Sequence, residues 1–128
     1  MIVLLDTSSG TCKLTLIDDN GQYDYEWEAG RGLAKGLLKY IDNSMNKHDH
    51  AISGISGIGV FRGPGSFTGL RIGLTVMNTI ADAQSVPIVG AVGDDWQLDA
   101  VTRLKSGDDD KIVLPLYDRD ANISTPRK

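Results

Sequence analysis

The hydrophobic pattern changes period several times along the chain, and each change marks an element. Ile2-Val3-Leu4-Leu5 is a continuous apolar run, the pattern of a strand buried on both faces. From Thr11 to Ile17 the pattern alternates. Cys12, Leu14 and Leu16 fall on one side and Thr11, Lys13 and Thr15 on the other, as in a half-buried strand. Asn20-Gly21 is a strong hairpin signal. Beyond it Gln22 to Glu28 alternates again, with Tyr23, Tyr25 and Trp27 on one face. From Leu33 to about His48 the period becomes helical. Leu33, Ala34, Leu37, Leu38, Tyr40, Ile41 and Met45 then fill an arc of about 160°. Further strands are predicted over Ile55 to Phe61, Pro87 to Val92 and Ile112 to Leu116. Helices are predicted over Phe67 to about Gln84, with Ser66 as N-cap, and over Asp94 to Leu104.

A three-strand meander followed by strands alternating with helices predicts an α/β domain. Its centre would be a mixed five-stranded sheet with helices on its faces. The domain is expected to span residues 1–117, with 118–128 as a polar tail. This layout resembles the ribonuclease H-like fold, one half of an actin-like protein.

The chain has 128 residues with a formal net charge of −4, which gives no global reason to bind nucleic acid. Its one cysteine, Cys12, cannot form an internal disulfide. The apolar start stops at Asp6 and lacks a basic region, so no signal peptide is expected, and no run is long enough to span a membrane. The expected compartment is cytoplasmic.

Three segments bear candidate chemistry. Asp6 ends the first strand, where ribonuclease H-like nucleases hold a metal. The fourth strand, however, offers no carboxylate to join it. Asp6-Thr7-Ser8-Ser9-Gly10 is compatible with a phosphate loop, because backbone amides and hydroxyls can hold an anion; Asx and Ser turns have the same composition. The third segment is Gly63-Pro64-Gly65-Ser66-Phe67-Thr68-Gly69-Leu70-Arg71-Ile72-Gly73, which runs from a strand through a glycine turn into a helix. It lacks the Gly-Lys-Ser/Thr ending of a P-loop. Its glycines are one residue too widely spaced for a dinucleotide fingerprint. Glycines that merely let the loop fold back over the sheet remain an equal reading.

Arg62 to Gly73, preceded by an opening that reads IVLLDTS, resembles the TsaB family of the bacterial machinery that makes threonylcarbamoyladenosine on tRNA. The likeness covers roughly residues 1–92. The motif residues are Arg62, Gly63, Pro64, Gly65, Ser66, Phe67, Thr68, Gly69, Arg71 and Gly73. The family is typically nearly twice as long, with a second half of the same general fold. The related catalytic subunit TsaD carries a His-x-x-x-His metal pair on a helix. Here the two histidines, His48 and His50, do not match it.

The resemblance implies a non-catalytic scaffold subunit with no cofactor or metal of its own. Threonylcarbamoyl-adenylate and the metal would belong to a TsaD-like partner. A TsaE-like ATPase is a further expected partner, a homodimer is possible on the same surface, and tRNA would be met only indirectly. The alternative is a small nucleotide-binding or phosphotransfer domain using the Asp6–Gly10 and Gly63–Gly69 loops.

Helical arithmetic adds an expected interface. The second helix has more apolar surface than one sheet face needs. In the family the first two helices of each partner form a four-helix bundle. The expected contact residues are therefore Leu33, Leu37, Leu38, Ile41 and Met45 with Leu70, Leu74, Met77 and Ala81. The opposite stripe, Ile72, Val76 and Ala83, is the alternative outward face.

Overall fold

The computed structural model describes residues 1–116. Three strands open it: β1 (Ile2–Asp6), β2 (Thr11–Asp18) and β3 (Gly21–Glu28). Then come α1 (Leu33–Asn46), β4 (Gly57–Phe61), α2 (Phe67–Gln84), β5 (Ile88–Ala91) and α3 (Trp96–Lys105). The sheet order is β3-β2-β1-β4-β5. β1 runs antiparallel to β2 and parallel to β4, and β4 runs parallel to β5. This is the mixed five-stranded sheet of the ribonuclease H-like fold.

The apolar run of β1 is explained by its two neighbours. Val3 and Leu5 point into the larger core, under α1 and α2, with Leu14, Leu16, Leu37, Ile41, Met45 and Met77. Leu4 points the other way, onto Val89, Ala91, Trp96 and Ala100 beneath α3. A central strand buried on both faces has no polar side to show.

The β2–β3 turn is held by one carboxylate. Asp18 Oδ1 accepts the backbone N–H of Asn20 at 2.9 Å and of Gly21 at 3.1 Å. Across β3, Tyr25 hydrogen-bonds His48 and Tyr23 stacks on the same ring at 3.7 Å. His50 pairs with Asp18 at 3.1 Å. Both histidines thus fasten the end of α1 to the hairpin.

The expected final strand over Ile112 to Leu116 does not form. Residues 109–116 instead make an irregular strap pinned by side chains. Asn78 bonds both the N–H and the C=O of Val113 at 2.9 Å, and Arg62 Nε donates to Leu114 O at 3.0 Å. Asp110 accepts the Gly90 N–H at 2.8 Å and pairs with Arg103. Pro115 lacks an N–H, and Val113 is tied to a side chain on α2, so no backbone ladder extends along the segment. The polar tail, 118–128, lies outside the described residues.

Candidate functional site

The glycine-rich motif is a packing device on two sides. Ser66 caps α2, its Oγ accepting the Gly69 N–H at 3.2 Å. The helix then crosses the β1–β2 turn at very short range. Ser66 N–H donates to Ser8 O at 2.8 Å, and the Thr7 hydroxyl donates to Gly69 O at 2.7 Å. A Cβ on Gly65 would meet Ser8 Cβ at 2.5 Å. One on Gly69 or Gly73 would stand 2.2 Å from Thr7 O or Thr7 Oγ1. On the other side, Gly63, at φ +120°, leaves room for Leu116 O, and the carbonyl of Arg62 accepts the Leu116 N–H at 2.8 Å.

The same contacts occupy the segment with the composition of a phosphate loop. Asp6 Oδ1 accepts the Ser8 N–H at 2.8 Å, and Thr7 is buried beneath α2. The side chain of Thr7 and the backbone of Ser8 hold the helix. Asp6 also lines a polar cleft of about 430 Å³ with Lys13, Asp94, Asp95 and Gln97. Among the described residues, no group of three or more His, Cys, Asp or Glu could hold a metal ion.

Eight of the nine expected interface residues are in the core. Leu33, Leu37, Ile41, Met45, Leu70, Leu74, Met77 and Ala81 are each 5% exposed or less. Their stripe gathers most of the leucine and methionine side chains of both helices, and burying it against the sheet removes a large apolar area from water. Leu38 alone is outward, at 52%. The stripe turned away from the sheet is the alternative one, with Ile72 and Val76 half-buried and Ala83 exposed.

An open groove of about 320 Å³ lies between α1 and α2. It is lined by Ala34, Thr68, Arg71, Ile72, Thr75 and Val76. Phe67, which precedes the lining residue Thr68, is 54% exposed, with the Arg71 guanidinium 5.2 Å from its ring centre. Aromatic and arginine side chains beside an apolar floor are typical anchors of protein interfaces. Ala34 and Thr75 were not among the expected contact residues. For Ala34 the signal was its place in the wide apolar arc of the first helix; Thr75, on the polar sector of the second, gave none.

Behind this groove, a second cavity of about 230 Å³ is walled partly by Cys12, Arg31, Ser66 and Gly69. Burial, and then the charge of Asp6, push the Cys12 thiol up to about 12, so it stays protonated and unreactive. In the hairpin, burial opposes ionisation of Asp18. The N–H bonds of Asn20 and Gly21 and the His50 ring outweigh it, leaving its pKa below the ordinary carboxylate value.

Comparison with known proteins places this architecture. Residues 27–92 match the family model described as TsaD, tRNA N6-adenosine threonylcarbamoyltransferase. The matched span contains α1, β4, α2 and β5. The chain is 32% identical over 88 residues to the tRNA threonylcarbamoyladenosine biosynthesis protein TsaB of Buchnera aphidicola, covering 69% of this chain and 40% of the relative. It is 32% identical to the Bacillus subtilis protein of the same name over 91% of this chain and 49% of the relative. For the Escherichia coli protein, identity is 25% over 94% and 56%. A solved structure of YeaZ from Pseudomonas aeruginosa superposes with a TM-score of 0.67 at 28% identity, covering 71% of this chain and 43% of that one. The chain spans about half the length of the curated relatives it matches. On the 32% identity to these relatives and the superposition on YeaZ, the chain belongs to the TsaB family of tRNA threonylcarbamoyladenosine biosynthesis proteins.

Proposed function

We propose that the chain is a non-catalytic scaffold subunit in threonylcarbamoyladenosine formation on tRNA, docking a TsaD-like catalytic subunit through the outward face of α1 and α2. The observation that carries this reading is the groove between the two helices, floored by the half-buried Ile72 and Val76, with Leu38 exposed on α1. Threonylcarbamoyl-adenylate, metal and tRNA contact are assigned to the partner. A TsaE-like ATPase would join the assembled pair. A homodimer on the same face would compete with docking.

The role follows from what the face can do. A helix pair from the partner would fill the groove and cover Leu38 and Phe67. A stable contact of this kind removes about 800 Å² per partner from water, so it has to run along both helices. The test uses one residue of α2. Val76→Asp places a carboxylate on the outward face, where it folds in solvent but cannot be buried unpaired without a cost of several kcal/mol. Capture of the TsaD-like subunit should fall about a hundredfold or more, with the circular dichroism spectrum unchanged. Full capture by Val76→Asp would sink the reading.

The nucleotide-binding alternative is less well supported. Thr7 and Ser8 are engaged with α2, and Asp6 holds the turn itself. Calorimetry with ATP should give no binding tighter than about 100 μM, roughly −5.5 kcal/mol. Tight binding lost in Asp6→Asn would restore the alternative.

A further inference from the structure

We infer that Asp109, Asp110 and Arg103 form a guard along the outer edge of β5, standing where a sixth strand would stand and keeping that edge closed to β5 of a second copy of this chain. The edge is separate from the groove between α1 and α2, which none of the three residues lines.

The composition of β5 is that of an inner strand, yet β5 ends the sheet. It reads Ile88-Val89-Gly90-Ala91, every residue buried, and it has one neighbour, β4. The strand at the other end of the sheet, β3, carries Asp24, Glu26 and Glu28 along its own length. Charges, prolines and bulges are the usual means by which an edge strand resists pairing with another chain. β5 contains no charge and no proline, and its register with β4 runs from Ile88 to Ala91 without a bulge. Protection of this edge has to come from elsewhere in the chain.

It comes from the end of α3 and the strap. Ala91 turns toward β4, its carbonyl accepting the Arg62 N–H at 2.9 Å, so Gly90 and Ile88 turn outward. All four of their backbone groups are taken. Ile88 N–H donates to Asp109 Oδ1 at 3.1 Å, and Gly90 N–H donates to Asp110 Oδ2 at 2.8 Å. Ile88 O accepts the Asp110 N–H at 2.8 Å, and Gly90 O accepts Arg103 Nη1 at 2.9 Å. Arg103 is held in turn by Asp108, at 2.6 Å, and by Asp110. Burial opposes ionisation of Asp110, but the bonds from Arg103 and Gly90 outweigh it and hold its pKa below the ordinary carboxylate value. Its oxygens therefore remain acceptors at neutral pH.

The edge so covered is self-complementary. In an antiparallel pair of β5 strands centred on Val89, Ile88 of one copy would lie opposite Gly90 of the other. Each such pair would exchange two N–H···O bonds, and the two-fold axis would repeat the set. The guard makes the same number of bonds to these groups within one chain. It gives up no translational freedom, so it prevails at ordinary protein concentrations. Removing its acceptors leaves two N–H groups on an apolar strand with nothing to answer them but water or another copy of the same strand.

The experiment compares wild type, Asp109→Ala/Asp110→Ala and Asp109→Asn/Asp110→Asn. Amide hydrogen exchange is read by NMR at Ile88 and Gly90, relative to the β1 amides, at about 20 μM and about 1 mM protein. In wild type both amides should exchange slowly, and equally so at the two concentrations. In the alanine variant they should exchange about tenfold faster at low concentration and regain protection at high concentration, where sedimentation should show added self-association. The asparagine variant keeps an acceptor oxygen at each position and should follow wild type. Association through α1 and α2 would not move these two amides relative to β1. Alanine-variant amides as slow as those of wild type would overturn the inference, and so would freed amides that stay fast at high concentration. An asparagine variant that opens as the alanine one does would overturn the hydrogen-bonding basis of the guard. If the alanine pair also loses protection in β1, Asp110→Ala alone is read in the same way at Gly90.

Discussion

At Thr7 one side chain serves two turns of α2. Its hydroxyl donates to Gly69 O, and its Oγ1 fills the space where a Cβ on Gly73 would stand. Gly73→Ala gains about 1 kcal/mol of helix propensity, but overpacking a fixed contact costs about 1–3 kcal/mol. We expect a net loss of up to about 2 kcal/mol in urea unfolding. Adding Thr7→Ala should give less than the sum of the two single effects, because the residues touch. Cys12 should resist thiol reagents at pH 8 until the protein unfolds, since its thiol is buried and its pKa is about 12. Asp18 supplies a pH test. Its folded pKa is depressed, so its stabilising contribution is present above the unfolded value near 3.9 and fades as pH falls through the folded one. The stability gap between wild type and Asp18→Ala should therefore shrink as pH falls below about 4.

At the level of elements, α2 shows where the sequence was legible and where it was not. Its bounds, Phe67–Gln84, and its cap at Ser66 follow from the motif and the periodicity. Which of its two apolar stripes faces the sheet does not, because both fit a helical period. Packing decides it: Leu70, Leu74 and Met77 have the volume to fill the space under the sheet, and Ile72 and Val76 are left outward. Met77→Asp should accordingly unfold the domain, whereas Val76→Asp should not; thermal melts distinguish them. The strap was misread for a related reason. Ile112 to Leu116 is a short apolar run like that of a buried strand, yet its anchors are Asn78 and Arg62, side chains far away in sequence. Asn78→Ala removes both bonds to Val113 and should cost about 1–3 kcal/mol, with faster proteolytic cleavage near residues 111–116. The motif glycines were legible as a pattern, but their partners Thr7 and Ser8 appear only once β1 and α2 are brought together.

For the whole molecule, the two sides of the sheet have different roles. α3 packs on Leu4, Val89 and Ala91 and completes the smaller core. The α1 and α2 side closes the larger core and then presents a second, outward surface. Partner binding through that surface should shift backbone NMR signals around residues 31–39 and 67–79. Signals of α3 and of the strap at 109–116 should stay in place. Shifts centred on α3 would move the interface to the other side of the sheet.

The position of β1 also bears on how the chain is made. β1 is made before the other four strands of this sheet and becomes its middle strand, with Met1 N bonding Gly54 O at 3.2 Å. The meander partner β2 emerges almost at once, but β4 begins only at Gly57. At roughly 5–20 residues per second, synthesis leaves β1 with one open edge and two uncovered apolar faces for a few seconds. The nascent chain thus carries Val3, Leu4 and Leu5 as a sticky segment through much of its own translation. Slow codons placed before Gly57 would lengthen that exposure and lower the yield of soluble protein, and the same codons placed after Lys105 would not.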